Sequence, residues 1–547
     1  MRCLKATLAT CLAFEAMLPA WGQLASDPSL LTRGRWEATP CVERMQAVPG
    51  SPGEFFLRLK GVGPRSRNAY NINFGPHRTD PESWAATREG MVVFWAGVGP
   101  KQGNAAALEL AARIGSKKME GYNWALFSWK DGQLQRLATE DEPVDLPDMK
   151  KAFIRRSFAR ITPLGNRILF FFDNDGLFSF QHGLVAWDGK GFQTLLQGGK
   201  AAEIGGMPFQ VRGLVDWGPS RDGGFWAQVS AKNESGGQFL WVLGREGKLE
   251  PLVSTVGKWP GTTIDASPLY TTLVRRAEPL VFKEGVVLQV DGGKFGRESV
   301  VVVGNSQTQV KAPREKLMEL LETKYLVQVD LFCAGDPEDF LVKTVTRGSF
   351  AGNLQETLVH FRRGNLEKVF DREQAAAEKD KPYRIFQGVA VEGASPQYFF
   401  SAGSTWEEQD VAKSTLSTWA YEVLGRPRLY WFDGKEVRLA AREALVKHDS
   451  LRLTEGPTGR LLWGEFKTEF KLVITDTNSG RKVETTAPIQ KKLITLSGGT
   501  VALVDPPRFA LTNSQASLTL ADVVAWVSDQ EALALSESGL YRLKRVE

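Results

Sequence analysis

The chain has 547 residues, of which 42% are hydrophobic and 24% are charged, and it contains 54 glycines, 31 phenylalanines and 16 tryptophans. This apolar content excludes an intrinsically disordered chain, and the lack of a glycine period or a long heptad repeat excludes collagen and coiled coils. The net charge of +5, from 68 basic and 63 acidic residues, is too small and too dispersed to predict a nucleic acid or an anionic membrane as a partner.

The first 22 residues have the pattern of a secretory signal peptide. A basic start that includes Arg2 and Lys5 is followed by the apolar run 6–18 and by the small residues Ala20 and Gly22 at positions −3 and −1 of a possible cut after Gly22. Glu15 departs from the pattern, and the alternative is the N-terminal helix of a cytosolic protein. No later apolar run is long enough to predict a membrane span. The sequence therefore predicts export to the periplasm or the medium, with residues 1–22 removed and residues 23–54 forming an N-terminal extension.

Two cysteines, Cys41 and Cys333, follow the predicted signal peptide. In an oxidising compartment they can form a disulfide, and the alternative is two separate buried thiols. The histidines, which lie at positions 77, 182, 360 and 448, form no cluster with these cysteines at zinc-site spacing. We therefore predict no metal site and no cofactor.

A hairpin pattern recurs along the chain. Each copy is an apolar strand, a polar turn that usually contains Gly, and a second strand that ends in Leu or Val. The copies lie at residues 124–137, 183–195, 239–252, 300–310, 358–369, 429–439 and, more weakly, 472–483. Their turns are spaced by about 58 residues on average, a period that indicates a repeat architecture.

Four strands are predicted within one period. Between Asp188 and Glu246 they are the runs 192–196, 209–217, 225–229 and 239–243. Four strands per repeat are typical of a β-propeller blade, and runs such as 168–172, which are apolar at consecutive positions, fit strands that are buried on both faces. The repeats give eight blades, or seven if the weak copy belongs to a neighbouring blade.

The last repeat lacks a fourth strand. Its final strands are predicted at 531–535 and 539–543, and the run 55–59 near the start of the chain is predicted to complete it by pairing with the C-terminal end. Short helices are predicted at 104–113, 314–323 and 372–381, and an insertion at 404–424. We therefore expect one all-β propeller domain over residues 55–547, with helical insertions.

With its Gly-Leu-Tyr/Trp, Asp-Gly and Leu hairpins, the chain resembles exported bacterial β-propeller proteins over residues 55–547. This resemblance implies a fold and no catalytic residue, because the hairpin only builds the sheet.

Motifs of propeller enzymes are incomplete in this sequence. The segment 220–226 has the Ser, Asp and Gly of a sialidase Asp-box but lacks its Thr, and Arg384-Ile385 lacks the proline of the sialidase Arg-Ile-Pro element. A turn and an ordinary strand are the favoured interpretations. The tryptophan docking motifs of quinone-dependent dehydrogenases and the nucleophile elbow of serine hydrolases are not found.

Acidic groups and histidines were weighed as catalytic or metal-binding residues. Asp173 and Asp175 are too few for a calcium site, and the same holds for Asp336, Glu338 and Asp339, so turns are favoured. His360, in the predicted strand 358–361, is interpreted as a packed histidine.

We therefore predict a binding or interaction module with a protein or carbohydrate ligand. The alternative is a propeller hydrolase or lyase that acts on extracellular glycans, with catalytic carboxylates contributed by separate blades. The sequence does not decide whether the protein is an enzyme, and it identifies no catalytic residue.

Overall fold

A computed structural model of the chain describes the residues 35–59, 84–100, 123–140, 142–154, 161–173, 182–220, 224–234, 236–245, 247–254, 280–282, 286–292, 298–305, 307–348, 354–371, 373–374, 383–391, 396–404, 427–445, 451–455, 460–467, 489–497, 499–506, 509–511 and 518–546. The contacts divide these residues into two compact units. The first unit consists of Gly34–Val310 with Pro507–Glu547, and the second unit consists of Lys311–Pro506.

Nearly all of the regular structure is β-strand. In chain order the first strands are β1 (Arg35–Glu43), β2 (Phe55–Arg58), β3 (Trp84–Ala86), β4 (Val92–Gly99), β5 (Asn123–Lys130), β6 (Gln133–Thr139), β7 (Val144–Leu146), β8 (Met149–Ala152), β9 (Thr162–Leu164), β10 (Arg167–Phe172), β11 (Gly183–Trp187), β12 (Phe192–Gln197), β13 (Ala201–Ile204), β14 (Met207–Pro219), β15 (Phe225–Asn233), β16 (Gly236–Arg245), β17 (Lys248–Ser254), β18 (Leu280–Val281), β19 (Val286–Gly292), β20 (Glu298–Asn305) and β21 (Gln307–Ala312).

One α-helix, α1 (Arg314–Leu320), follows within the described residues, and a 3-10 turn spans Leu520–Asp522. The remaining strands are β22 (Tyr325–Asp336), β23 (Asp339–Arg347), β24 (Leu354–Arg362), β25 (Asn365–Phe370), β26 (Tyr383–Val391), β27 (Gln397–Ser404), β28 (Arg428–Phe432), β29 (Val437–Leu445), β30 (Leu451–Glu455), β31 (Arg460–Lys467), β32 (Ile489–Ser497), β33 (Thr500–Val504), β34 (Phe509–Leu511), β35 (Val523–Ser528), β36 (Glu531–Leu535) and β37 (Gly539–Val546).

The strands of the first unit form separate, mainly antiparallel sheets. Their orders are β34-β1-β37-β36-β35, β2-β4-β5-β6 with β3 beside β4, β9-β10-β11-β12, β13-β14-β15-β16-β17, β18-β19-β20-β21 and the small pair β7-β8. In the second unit, β22-β23-β24-β25 form one sheet, and β26-β27-β28-β29 continue through β31, β32 and β33 into an eight-stranded sheet in which β30 pairs with β31. Repeated four-stranded antiparallel sheets are the blades of a β-propeller, which confirms the predicted fold class.

The sheets of each unit stack face to face. Val93 and Trp95 of β4 pack with β10 and β11, whereas the alternate residues Val92 and Phe94 pack with β36 and β37. In the second unit Phe400 of β27 packs against the sheet β22-β25, and its neighbour Phe399 packs against β30, β31 and β32. Since successive side chains of a strand point to opposite faces, a sheet between two others must be apolar at consecutive positions.

The predicted hairpins are present wherever the chain is described. In the β5-β6 turn Asp131 and Gly132 have φ values of 50° and 82°, and in the β24-β25 turn Arg363 and Gly364 have 47° and 90°. Two successive positive φ angles are those of a type I′ turn, which matches the twist of paired strands. The weak copy at 472–483 lies outside the described residues, so the number of blades stays a prediction.

Two other hairpins, β11-β12 and β28-β29, use an aspartate to order the turn. Asp188 Oδ1 accepts hydrogen bonds from the backbone N–H groups two and three residues later at 2.8 and 2.9 Å, and Asp433 does the same at 2.8 and 2.9 Å. These bonds hold the pKa of both carboxyl groups below the usual range, because they favour the ionised form.

The strand that pairs with the C-terminal end is not the predicted one. Residues 55–58 form β2 and pair with β4, whereas β1, in the segment predicted as an N-terminal extension, pairs antiparallel with β37 from Arg35↔Val546 to Glu43↔Gly539. Trp36 of β1 is 1% exposed and makes edge-on contacts with Phe509 and Trp526. The first and last described strands therefore meet in one sheet of the first unit, with eight register pairs and a bulge near Pro40.

Helix α1 confirms the helix predicted at 314–323. The predicted signal peptide 1–22 and the predicted helix 104–113 lie outside the described residues, as do most of the predicted helix 372–381 and all of the insertion 404–424 except Ser404. Within the described ranges, no helix combines the length and the apolar character needed to cross a bilayer.

Candidate functional site

A cluster of titratable side chains lies where one end of the sheet β22-β25 meets β27. Asp339, the first residue of β23, pairs in register with Arg362, the last residue of β24, and His360 lies two residues before Arg362. Residues two apart on a strand share a face, so these three side chains project from the same side of the sheet. Tyr398 lies at the start of β27, in the adjacent sheet, and packs against the sheet β22-β25.

The Asp339 carboxylate is the centre of the cluster. Its Oδ1 atom accepts a hydrogen bond from the Tyr398 hydroxyl at 2.5 Å and lies 2.6 Å from His360 Nε2, while its Oδ2 atom lies 3.3 Å from Arg362 Nε. Because an ionised carboxylate only accepts, His360 donates from Nε2 in this arrangement. Two hydrogen bonds and one salt-bridge contact therefore converge on the Asp339 carboxylate, which orients all four side chains. We name Asp339, His360, Arg362 and Tyr398 the Asp339 cluster.

Three members of the Asp339 cluster are buried. Asp339 is 6% exposed, His360 3% and Tyr398 0%, whereas the Arg362 side chain is 41% exposed. The His360 ring also stands edge-on to Phe432, with ring centroids 5.0 Å apart. Burial, followed by the negative charge of Asp339, raises the pKa of Tyr398 far above its usual range, so the phenol is a hydrogen-bond donor at neutral pH.

The turns around Arg362 carry further charges, each with a partner of its own. Lys311 Nζ donates to Glu338 Oε1 at 2.7 Å. In the β28-β29 turn the Arg438 guanidinium contacts both Asp433 and Glu436. These acidic groups are therefore compensated without Arg362.

Asp336, in the β22-β23 turn, belongs to the same neighbourhood. Its Oδ1 atom accepts a hydrogen bond from the backbone N–H of Glu338 at 2.6 Å. Partial burial raises the pKa of Asp336, and the nearby charges of Asp339 and Glu338 act in the same direction.

A second buried ion pair lies in the same sheet and is structural. Lys343 Nζ is 3.4 Å from Glu356 Oε1, and the two side chains are 12% and 11% exposed. Lys343 also donates to the Ile385 carbonyl at 3.0 Å, and Glu356 accepts from the Ile385 N–H at 2.6 Å. The pair therefore ties β23 and β24 to β26.

The two cysteines are both in the reduced form and belong to different units. Cys41 of β1 is half-buried and Cys333 of β22 is buried. Burial raises the pKa of the Cys41 thiol, so its reactive thiolate is disfavoured at neutral pH. A disulfide between them stays a prediction.

The weak motifs lie only partly in the described residues. The Ser220 N–H donates to the Gly224 carbonyl at 3.0 Å, while Asp222 lies outside the described residues, and residues 384–386 lie inside strand β26 as the sequence favours. Asp173 forms a backbone bridge with Phe153, and Asp175 lies outside the described residues, as do His77 and His448. Over the described part of the chain, no group of three His, Cys, Asp or Glu side chains is arranged to hold a metal ion.

His360 is the packed strand histidine that the sequence predicts, but the sequence pattern does not predict its partners. It indicates Asp339 only as part of an acidic turn and does not single out Tyr398. A usable signal was the separation of 59 residues between Asp339 and Tyr398, which is close to the repeat length and so places them on adjacent sheets.

The fold and the site define the class of this protein as a β-propeller with a buried, hydrogen-bonded carboxylate, and comparisons with known proteins go no further. No protein-family profile and no curated protein sequence matches the chain. Among solved structures, it is similar to an acylaminoacyl peptidase from Pyrococcus horikoshii, with 11% identity and a TM-score of 0.34, over 78% of this chain and 52% of that one. The chain thus spans about half the length of that peptidase.

Two further solved structures are similar. The β-propeller domain of the trilobed protease from Pyrococcus furiosus has 8% identity and a TM-score of 0.34, over 79% of this chain and 97% of that one. An ulvan lyase of polysaccharide lyase family PL25 has 10% identity and a TM-score of 0.31, over 82% and 96%. Scores this low support no argument about activity, ligand or substrate.

Proposed function

We propose that this protein is an exported binding module, with a protein or a carbohydrate as its ligand, and that it has no catalytic activity of its own. The proposal is supported mainly by the Asp339 cluster. The members of this cluster that could transfer a proton, Asp339, His360 and Tyr398, are all buried. A general acid or base must come within about 2.6–3.2 Å of the proton that it transfers. Asp339, His360 and Tyr398 are too deeply buried to come that close to a bound substrate.

Protonation supports the same proposal. The raised pKa of Tyr398 keeps the phenol protonated, so it is not available as a base at neutral pH. Asp339 already accepts hydrogen bonds from His360 and Tyr398 and is in salt-bridge contact with Arg362, so its carboxylate is engaged within the cluster. The exposed member, Arg362, carries a permanent charge and is suited to holding a ligand rather than to moving a proton.

The test is a parallel screen of the mature chain for binding and for turnover. Neutral and acidic polysaccharides and immobilised proteins are the probes, and new reducing ends and the ultraviolet absorbance of unsaturated uronates report cleavage. We expect binding to some probes without cleavage of any. Glycan cleavage that is lost in a folded Asp339→Asn variant would contradict the proposal and support a hydrolase or lyase.

Export is tested separately by the N-terminal sequence of the protein recovered from each cell fraction. The proposal expects a mature chain that begins near Gln23 outside the cytoplasm. An uncleaved chain beginning at Met1 and confined to the cytoplasm would contradict it.

A further inference from the structure

The Arg362 guanidinium is half-exposed, and a contact with the buried Asp339 carboxylate holds it in place. Its Nε atom lies 3.3 Å from Asp339 Oδ2, and Asp339 is itself fixed by His360 and Tyr398. This contact is made through Nε, and among the described residues no salt bridge engages the two Nη groups of the planar guanidinium, which we call the Nη fork. Immobilising this fork in advance lowers the entropy cost of binding a ligand through it.

The β28-β29 turn lies beside the fork. A Cβ atom built on Gly434 would lie 3.7 Å from Arg362 Nη1, and Gly434 has a φ of 87° that favours glycine. Glycine therefore leaves open a position next to Nη1 that any other residue would partly fill.

Among the described residues, no neighbouring acid forms a salt bridge with the Nη groups of Arg362. Glu338 is paired with Lys311, and Asp433 and Glu436 are paired with Arg438. Among the described residues Asp339 is the acid in salt-bridge contact with Arg362, and that contact uses Nε.

We propose that the Nη fork of Arg362, beside the open position at Gly434, binds an oxyanion group of the ligand, such as a carboxylate, a sulfate or a phosphate. This inference rests on the proposed binding function and specifies the chemistry that the ligand presents. Guanidinium forks bind such groups through two parallel charge-assisted hydrogen bonds. Two bonds of this kind correspond to a dissociation constant on the order of 1 mM for a small anion.

Protection from arginine-specific modification measures this binding on the intact chain. Phenylglyoxal reacts with exposed guanidinium groups, and mass spectrometry of the digested protein gives the rate at each arginine. Acetate, sulfate and phosphate are added in separate arms, with chloride at matched ionic strength as the reference. Arg438, which is 46% exposed but already contacts Asp433 and Glu436, is the matched internal control.

We expect at least one anion at about 20 mM to slow modification of Arg362 roughly 20-fold relative to chloride, with Arg438 unchanged. The anion that protects best indicates whether the site prefers a planar group, such as the carboxylate of acetate, or a tetrahedral group, such as sulfate or phosphate. Equal effects at both arginines, or no effect at Arg362 in any arm, would overturn the inference.

A tethered carboxylate gives an independent test. Gly434→Asp places an acid beside Nη1, and aspartate tolerates a positive φ better than most residues do. Its Arg362 should react slowly without added anion and gain no further protection, while the matched Gly434→Asn variant should react faster than Gly434→Asp. Equal Arg362 rates in the two variants would count against the inference.

The protection experiment and the binding screen can fail independently of each other. A ligand found in the binding screen without protection at Arg362 leaves the binding function standing and removes this site. Protection at Arg362 in a protein that cleaves glycans retains the site and removes the non-catalytic role.

Discussion

Replacing Asp339 by alanine removes the acceptor on which the Asp339 cluster depends. In the native protein its carboxylate takes the hydrogen bonds of His360 and Tyr398, which are 3% and 0% exposed. After the substitution both donors stay buried without their acceptor, whereas the half-exposed Arg362 regains water. The cost therefore comes from His360 and Tyr398.

Each buried donor left unsatisfied costs about 1–3 kcal/mol, so Asp339→Ala should lower the free energy of unfolding of the second unit by about 2–6 kcal/mol. Tyr398→Phe removes one donor and leaves the carboxylate with His360 and Arg362, and it should cost about 1–2 kcal/mol. Asp339→Ala should cost more stability than Tyr398→Phe because it leaves two buried donors without an acceptor.

Equilibrium unfolding in urea, followed by tryptophan fluorescence and far-ultraviolet circular dichroism, gives both differences. Trp431 lies in the second unit and reports on it. A cost below about 1 kcal/mol for Asp339→Ala, or an equal cost for Tyr398→Phe, would refute the argument that the carboxylate satisfies two buried donors.

Three further predictions concern other positions. Asp336→Asn should stabilise the protein slightly at neutral pH, by less than about 1 kcal/mol after solvent screening, because the raised pKa of Asp336 means that its ionised form is disfavoured in the fold. This gain should disappear as the pH falls through the raised pKa, and equal pH dependence of the two unfolding midpoints would contradict it. Asp188→Ala should lower the free energy of unfolding by about 0.5–1 kcal/mol at neutral pH, because the hydrogen bonds of the turn are lost. This difference in stability between the variant and the native protein should shrink as acid protonates Asp188. A difference in stability that does not change with pH would count against this reasoning. Trp36→Ala should lower stability by about 3–5 kcal/mol in thermal unfolding, and an unchanged melting temperature would show that β1 contributes no packing.

The repeat could be predicted from the sequence because it is local. Turns such as Asp131-Gly132 and Arg363-Gly364 fix their hairpins within a few residues, and both have the positive φ angles that the pattern implies. The four strands predicted between Asp188 and Glu246 are all present. The first of them, β12, is however the outer strand of the preceding sheet, because the hairpin spacing gives the length of the repeat and not where a sheet begins.

The strand at the chain end was predicted wrongly because its pairing is not local. The apolar run 55–58 looks more like a strand than the sequence of β1, which is mixed in polarity and contains Pro40. Proline is tolerated in β1 next to the bulge between Pro40 and Val42. The partner of β1 lies at the other end of the chain, and hydrophobic pattern alone does not reveal it.

The Asp339 cluster was only partly visible for the same reason. His360 was correctly interpreted as packed, but its acceptor is 21 residues away and Tyr398 is 59 residues from Asp339. Trp187 donates to Ser128 across the same separation of 59 residues in the first unit. Contacts one repeat apart are therefore a general way in which adjacent sheets are joined.

Amide hydrogen exchange in β1 tests most directly that the first and last described strands are joined in one sheet. Because β1 is hydrogen-bonded to β37 and lies beside β34, its central amides should exchange as slowly as those of β37. Exchange of the β1 amides at the rate of an unstructured segment, with β37 still protected, would contradict the account.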